Sequence, residues 1–135
     1  MKKDKIIYWI ATIIIALFEG LMPALTSQTE LAKEGIEAEV IDLATIRPLD
    51  WVTILESVKK TNRLVIVEEQ WPFASVSSEI TYRIQKEGFD YLDAPIRRIT
   101  SVDAPMHYAP NLVALYLPDI PRTVKLVKEV MYLKK

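Results

Sequence analysis

Apolar positions along the chain switch between two rhythms. Short strand-like segments stand at residues 38–43 and 63–69, and within the second Leu64-Val65-Ile66-Val67 has no polar interruption. Such a run predicts a strand covered on both faces of a parallel sheet. Between them, Trp51, Ile54, Leu55 and Val58 recur at helical spacing behind Pro48 and Asp50, predicting a helix with one apolar face that Asn62 ends. A second helix is predicted over about 75–87, with Val76, Ile80 and Ile84 on one side. Gly88 and Phe89 read as its stop, the glycine left-handed and the ring packing back. Residues 95–100 read as another strand. Residues 101–118, carrying Pro105, Pro110 and Pro118, read as a loop too long for a simple connector. A last helix opens at Asp119, with Pro121 in its first turn and Ile120, Val124, Val127 and Met131 facing inward. Lys134 and Lys135 suit its negative end.

The N-terminal segment supports more than one element. Residues 6–18 form thirteen uncharged positions, which as a helix span about 20 Å, short of a roughly 30 Å hydrocarbon core. Extending to Leu25 reaches that length but takes in Glu19 and Pro23. A membrane helix over 6–25 is one expectation, with Lys2, Lys3 and Lys5 holding the N-terminus on the cytoplasmic side. A secretory signal is another, although Ala24-Leu25-Thr26-Ser27 is a poor cleavage site. The third is a buried strand over 12–18, rich in β-branched Ile13, Ile14 and Ile15, then a turn at Glu19-Gly20. A helix over about 23–34 follows in that reading, and Gly35 ends it.

Strands alternating with helices define an α/β protein, a three-layer αβα sandwich with an open, mostly parallel sheet. The domain division is an apolar segment over 1–27 and the sandwich over 28–135. The 135 residues suffice for one domain with a real core. A net charge of -1 removes any nucleic-acid role driven by bulk positive charge. With no cysteine and one histidine, His107, disulfides, thiolate metal sites and histidine-rich clusters are excluded.

In open α/β sheets, ligands and partners gather beyond the carboxyl ends of the strands. The run Glu68-Glu69-Gln70-Trp71-Pro72-Phe73 follows the clearest strand and is the first candidate. Adjacent strand residues point to opposite faces, so Glu68 and Glu69 do not form an acid/base pair. Trp71, Pro72 and Phe73 make an aromatic cluster that suits either an interface anchor or a lid on the core. His107, beside Tyr108 in a proline-rich loop, reads as a surface or interface hydrogen-bonder rather than a base. Of Arg97 and Arg98, adjacent on a strand, an ion pair is expected. Ser75, Ser77 and Ser78 lack the glycines of a phosphate loop, and helix capping explains them. No catalytic, cofactor-binding or metal residue is assigned. The candidate interface residues are Glu68, Glu69, Trp71, Pro72, Phe73, His107 and Tyr108. A standalone anion-binding or hydrolytic enzyme using Glu68, Arg97 and His107 is the competing expectation.

Several ordered motifs carry a family resemblance. They are residues 31–43, then Thr45-Ile46-Arg47-Pro48-Leu49-Asp50, then 55–65. Val67-Glu68-Glu69 with Trp71-Pro72-Phe73-Ala74, Phe89-Asp90-Tyr91-Leu92-Asp93-Ala94-Pro95, Asp103, Pro105-Met106 and Tyr108-Ala109 continue the series. Together they resemble the transketolase C-terminal domain of pyruvate dehydrogenase β subunits over about residues 31–135. The resemblance implies a thiamine-diphosphate and Mg enzyme whose cofactor lies outside this domain. It also implies an assembly role toward an α subunit, a second β subunit and a dihydrolipoyl acyltransferase core, in the cytoplasm, and no activity for this chain alone. The family usually has Arg at Ala44, Gly at Gln70, Ser75 and Ser77, and Pro at His107. Residues 3–10 through Pro23-Ala24-Leu25-Thr26 instead resemble the first membrane helix of DoxX-type proteins. That similarity implies a membrane-anchored interaction domain as the alternative.

Overall fold

The structure, a computed structural model, describes residues 12–17 and 21–132. Four parallel strands form one sheet in the order β2-β1-β3-β4, comprising β1 (Thr12–Leu17), β2 (Ala38–Asp42), β3 (Leu64–Glu68) and β4 (Arg97–Ile99). Between and after them lie α1 (Leu21–Lys33), α2 (Trp51–Thr61), α3 (Val76–Glu87), α4 (Pro110–Tyr116) and α5 (Ile120–Val130). β1 pairs with β2 from Thr12 opposite Ala38, and with β3 from Ile13 opposite Leu64. The chain runs outward from β1 to β2 and then returns past β1 to β3. The order therefore reverses between β1 and β3, and Glu68 is the last residue of β3 at that switch point.

All five residues of β3 are buried, as the uninterrupted apolar run predicts. Their alternation divides the core. Val65 and Val67 pack with Ala24, Leu31, Ile99, Val127 and Val130, the face covered by α1 and α5. Leu64 and Ile66 pack with Ile54, Val58, Ile80 and Ile84, the face covered by α2 and α3. The result is the three-layer αβα sandwich expected from the sequence.

Of the N-terminal readings, the strand and helix are what the structure shows. Residues 12–17 pair into the sheet on both sides, and no helix among the described residues is long and apolar enough to cross a membrane. The membrane helix over 6–25 and the DoxX likeness give way to that pairing. Parts of those readings, the turn at Glu19-Gly20 and Lys134-Lys135 lie outside the described residues.

Two local expectations also change. Gly88 has φ -133°, so it is not a left-handed stop, and Phe89 opens a short 3-10 turn with 59% of its surface exposed. Packing accounts for the glycine, because a Cβ there would stand 3.0 Å from Leu55 Cδ1. Left-handed helix ends fall at Gly35 (φ 80°) and Asn62 (φ 60°), where glycine or asparagine is least strained, and after α5 at Tyr132 (φ 55°). Residues 101–118 also contain α4, a single apolar-rich helix starting on Pro110 that the proline count concealed.

The open edge of the sheet is tied to α2 by charge. Glu39 on β2 accepts hydrogen bonds from Lys60 Nζ at 2.7 Å and Ser57 Oγ at 2.8 Å. The Lys60 bond chiefly holds its carboxyl below the usual value of 4.5. A carboxyl depressed on folding adds stability above its unfolded value and loses it as pH falls through the folded one. Glu39→Gln is expected to lower the urea midpoint at neutral pH, with the difference from the parent chain closing as the pH drops below 4.5.

Candidate functional site

The carboxyl end of β3 carries a buried charge. Glu68 has no exposed surface, and alternation turns it toward α3. Its carboxylate accepts the Ser77 backbone N–H at 3.1 Å and the Ser77 hydroxyl. Ser75 occupies the N-cap position of α3 yet makes no side-chain cap bond. The capping expected of the serines is thus supplied by Glu68 from the neighbouring strand, where a carboxylate also meets the positive end of the helix.

Arg98 balances that charge through the serines. Its Nη1 stands 2.7 Å from Ser78 Oγ, 3.0 Å from Ser77 Oγ, 3.3 Å from Ser75 Oγ and 3.2 Å from the Pro72 carbonyl. The Ser77 hydroxyl therefore donates to Glu68 and accepts from Arg98. The expected ion pair holds for Arg97, which reaches Glu129 at 3.4 Å, but not for Arg98. Their neighbours explain the difference. Arg97 lies opposite Val65 and faces α5, whereas Arg98 lies opposite Ile66 and faces α3.

Further bonds hold the loop between β3 and α3 from its other side. Ser101 donates its hydroxyl to the Glu69 carbonyl and its N–H to the Gln70 carbonyl at 3.1 Å. The Trp71 indole N–H donates to Tyr116 Oη, and Tyr116, on α4, is itself buried. On this braced frame Phe73 is 85% exposed, Trp71 is half exposed and Tyr108 is fully exposed. Val102, Met106 and Leu115 add exposed apolar surface from the β4–α4 loop and α4. The arrangement is a preorganised apolar surface over a satisfied polar layer, chemistry suited to contact rather than to bond making.

The predicted site residues take two roles. Trp71, Phe73, His107 and Tyr108 lie on the surface, with Pro72 half-buried among them. Glu68 lies beneath, as support. Glu68 and Arg97 bond to opposite faces of the sheet, so the competing hydrolytic constellation is not assembled. Sequence reasoning missed Arg98, Ser101 and Tyr116 as braces. Alternation along β4 carried a signal for Arg98, while Ser101 and Tyr116 gave none.

The described residues do not fit thiamine diphosphate and Mg. No group of three or more His, Cys, Asp or Glu among them could hold a metal ion, and the start of α3, the nearest approach to a diphosphate cradle, is filled by Glu68.

A parallel αβα sandwich with its conspicuous residues at the carboxyl switch point defines a class of α/β assembly or ligand domains. Comparison narrows the class. Residues 11–122 match the family model described as the C-terminal domain of transketolase, and the chain belongs to that family. It is similar to the pyruvate dehydrogenase E1 component subunit beta of Rhizobium meliloti (strain 1021), 51% identical over 113 residues, covering 84% of this chain and 25% of the relative. It is likewise similar to the mitochondrial subunit beta-1 of Arabidopsis thaliana, 51% identical over 112 residues, covering 83% of this chain and 31% of the relative. The chain spans about a quarter to a third of the curated relatives it matches. A solved split-gene transketolase, described as an inactive beta4 tetramer, superposes with TM-score 0.74 at 24% identity, over 93% of this chain and 41% of that one. That likeness supports the fold. The family match beginning at residue 11 also leaves the DoxX likeness without support.

Glu68→Ala leaves the buried Ser77 N–H without its acceptor, which costs about 1–3 kcal/mol. Urea denaturation is expected to show that loss and amide exchange to show Ser77 N–H deprotected, with Glu68→Gln milder because one carbonyl oxygen remains.

Proposed function

We propose that the chain is the C-terminal assembly domain of a pyruvate dehydrogenase E1-type β subunit and catalyses nothing alone. The observation that carries this reading is Phe73, an aromatic side chain 85% exposed on a loop that Arg98, Ser101 and Tyr116 hold in place. A rigid aromatic on a surface loses little entropy on binding, the property of an interface anchor. About half of the aligned residues are identical to pyruvate dehydrogenase β subunits, which supports this parentage over other members of the family. Thiamine diphosphate and Mg are bound elsewhere in the parent enzyme on this reading. The partners are an E1 α subunit and a second β subunit, with the dihydrolipoyl acyltransferase core as a further contact.

The experiment mixes the chain with a relative's E1 α subunit and the remaining portion of its β subunit, and follows complex formation by analytical ultracentrifugation. The parent chain is expected to enter a complex. Phe73→Ala is expected to weaken that association at least tenfold, the scale of an anchor residue, while leaving the melting temperature unchanged. Failure of the parent chain to associate, or pyruvate decarboxylation by the chain alone, would overturn the proposal.

A further inference from the structure

The turn after β2 and one side of α3 enclose a cleft of about 560 Å³, lined by Ile46, Arg47, Pro48, Leu49, Glu79 and Arg83. That volume falls in the range of small-molecule sites. Its contents are unusual because the charges in it are not paired with one another. The side chains of Arg47 and Glu79 form no hydrogen bond or ion pair with any other described residue. Arg83 is held from behind instead. Its guanidinium carbon sits 4.1 Å from the centroid of the Trp51 ring, and its Nε is 3.8 Å from Glu87 Oε1. The Trp51 indole N–H fixes the other Glu87 oxygen at 2.6 Å. The stacked guanidinium is thus oriented, while both of its Nη groups remain without a partner among the described residues. A planar fork held in this way is matched by a carboxylate accepting two parallel hydrogen bonds.

The lining carries two guanidinium groups and one carboxylate, and the Glu87 carboxylate stands behind Arg83, so a dianion meets more repulsion there than a monoanion does. Ile46, Pro48 and Leu49 supply an apolar wall beside the cations. We propose that this cleft binds a small aliphatic monocarboxylate, its carboxylate on Arg83 and Arg47 and its hydrocarbon against Ile46, Pro48 and Leu49. The Glu79 carboxylate tunes the site by repelling more highly charged anions. The site uses none of the residues of the Trp71 and Phe73 surface, so it holds or fails independently of the assembly role.

The test titrates the isotopically labelled chain with sodium hexanoate and follows backbone amide shifts. Saturable shifts confined to residues 46, 47, 49, 79 and 83 are expected, with a Kd of about 1 mM, an affinity within reach of so few atoms. Arg47→Ala, on an exposed turn, is expected to weaken binding about fivefold or more. Arg83→Lys keeps the charge but loses the fork and the stacking, and should do the same. Glu79→Gln is expected to tighten hexanoate binding and to admit inorganic phosphate, which the parent chain takes more weakly than hexanoate. Acetate and hexanol, each lacking one half of the recognition, should bind about tenfold more weakly. Shifts that do not saturate, or that Arg47→Ala leaves unchanged, would sink the proposal. Hexanol binding as well as hexanoate would reduce the cleft to a greasy surface, and phosphate binding as well would reduce it to a generic cation patch; either result overturns the monocarboxylate site.

Discussion

With all of β3 buried, the chain has to cover both faces of its sheet, and most other features are consequences of how it does so. A strand whose residues alternate between two apolar environments needs a helical layer on each side. α1 and α5 supply one, α2 and α3 the other. The same alternation carries one step past the apolar run and turns Glu68 inward at the end of the strand. A carboxylate there is tolerable only because the start of α3 and the Ser77 hydroxyl meet it, with Arg98 beyond.

That polar layer links the core to the surface. Arg98 contacts the serines and the Pro72 carbonyl with one nitrogen, so the conformation of the β3–α3 loop depends on both β4 and α3. Trp71 is half exposed yet fixed by Tyr116, and Phe73 projects from the same frame. Rigidity under an exposed aromatic reduces the ordering cost of association. The cleft beside Trp51 follows a similar logic, since Arg83 is oriented by its own neighbours before any ligand arrives.

The legible parts of the chain were those in which one local rhythm dominated. Leu64-Val65-Ile66-Val67 is too short for a helix between its charged flanks and reads as a strand, and the apolar stripe of α2 and the Asp50 that caps it through the Thr53 N–H are as plain. Family motifs covered those same regions and also the run of residues that follows β3. Gly88 misled because a glycine after a helix has two explanations, a left-handed stop or a close neighbour, and only the position of Leu55 separates them. α4 was hidden because Pro110 begins a helix as readily as it interrupts one.

By itself the sequence determined the alternation of elements, the two-sided burial of β3 and the run of residues placed at its carboxyl end, because hydrophobic periodicity and capping act within one or two turns of chain. It left residues 12–17 open between a strand and a membrane helix, since a short apolar run satisfies either one. Tertiary structure settled that choice by pairing them between β2 and β3. It alone decided that Glu68 supports the surface rather than forming it, that Arg98 faces serines while Arg97 faces Glu129, and that Arg47 shares a cleft with Arg83. Those pairings join residues roughly ten to forty positions apart, and separations of that length are fixed by the packing of helices on the sheet, on which local pattern is silent.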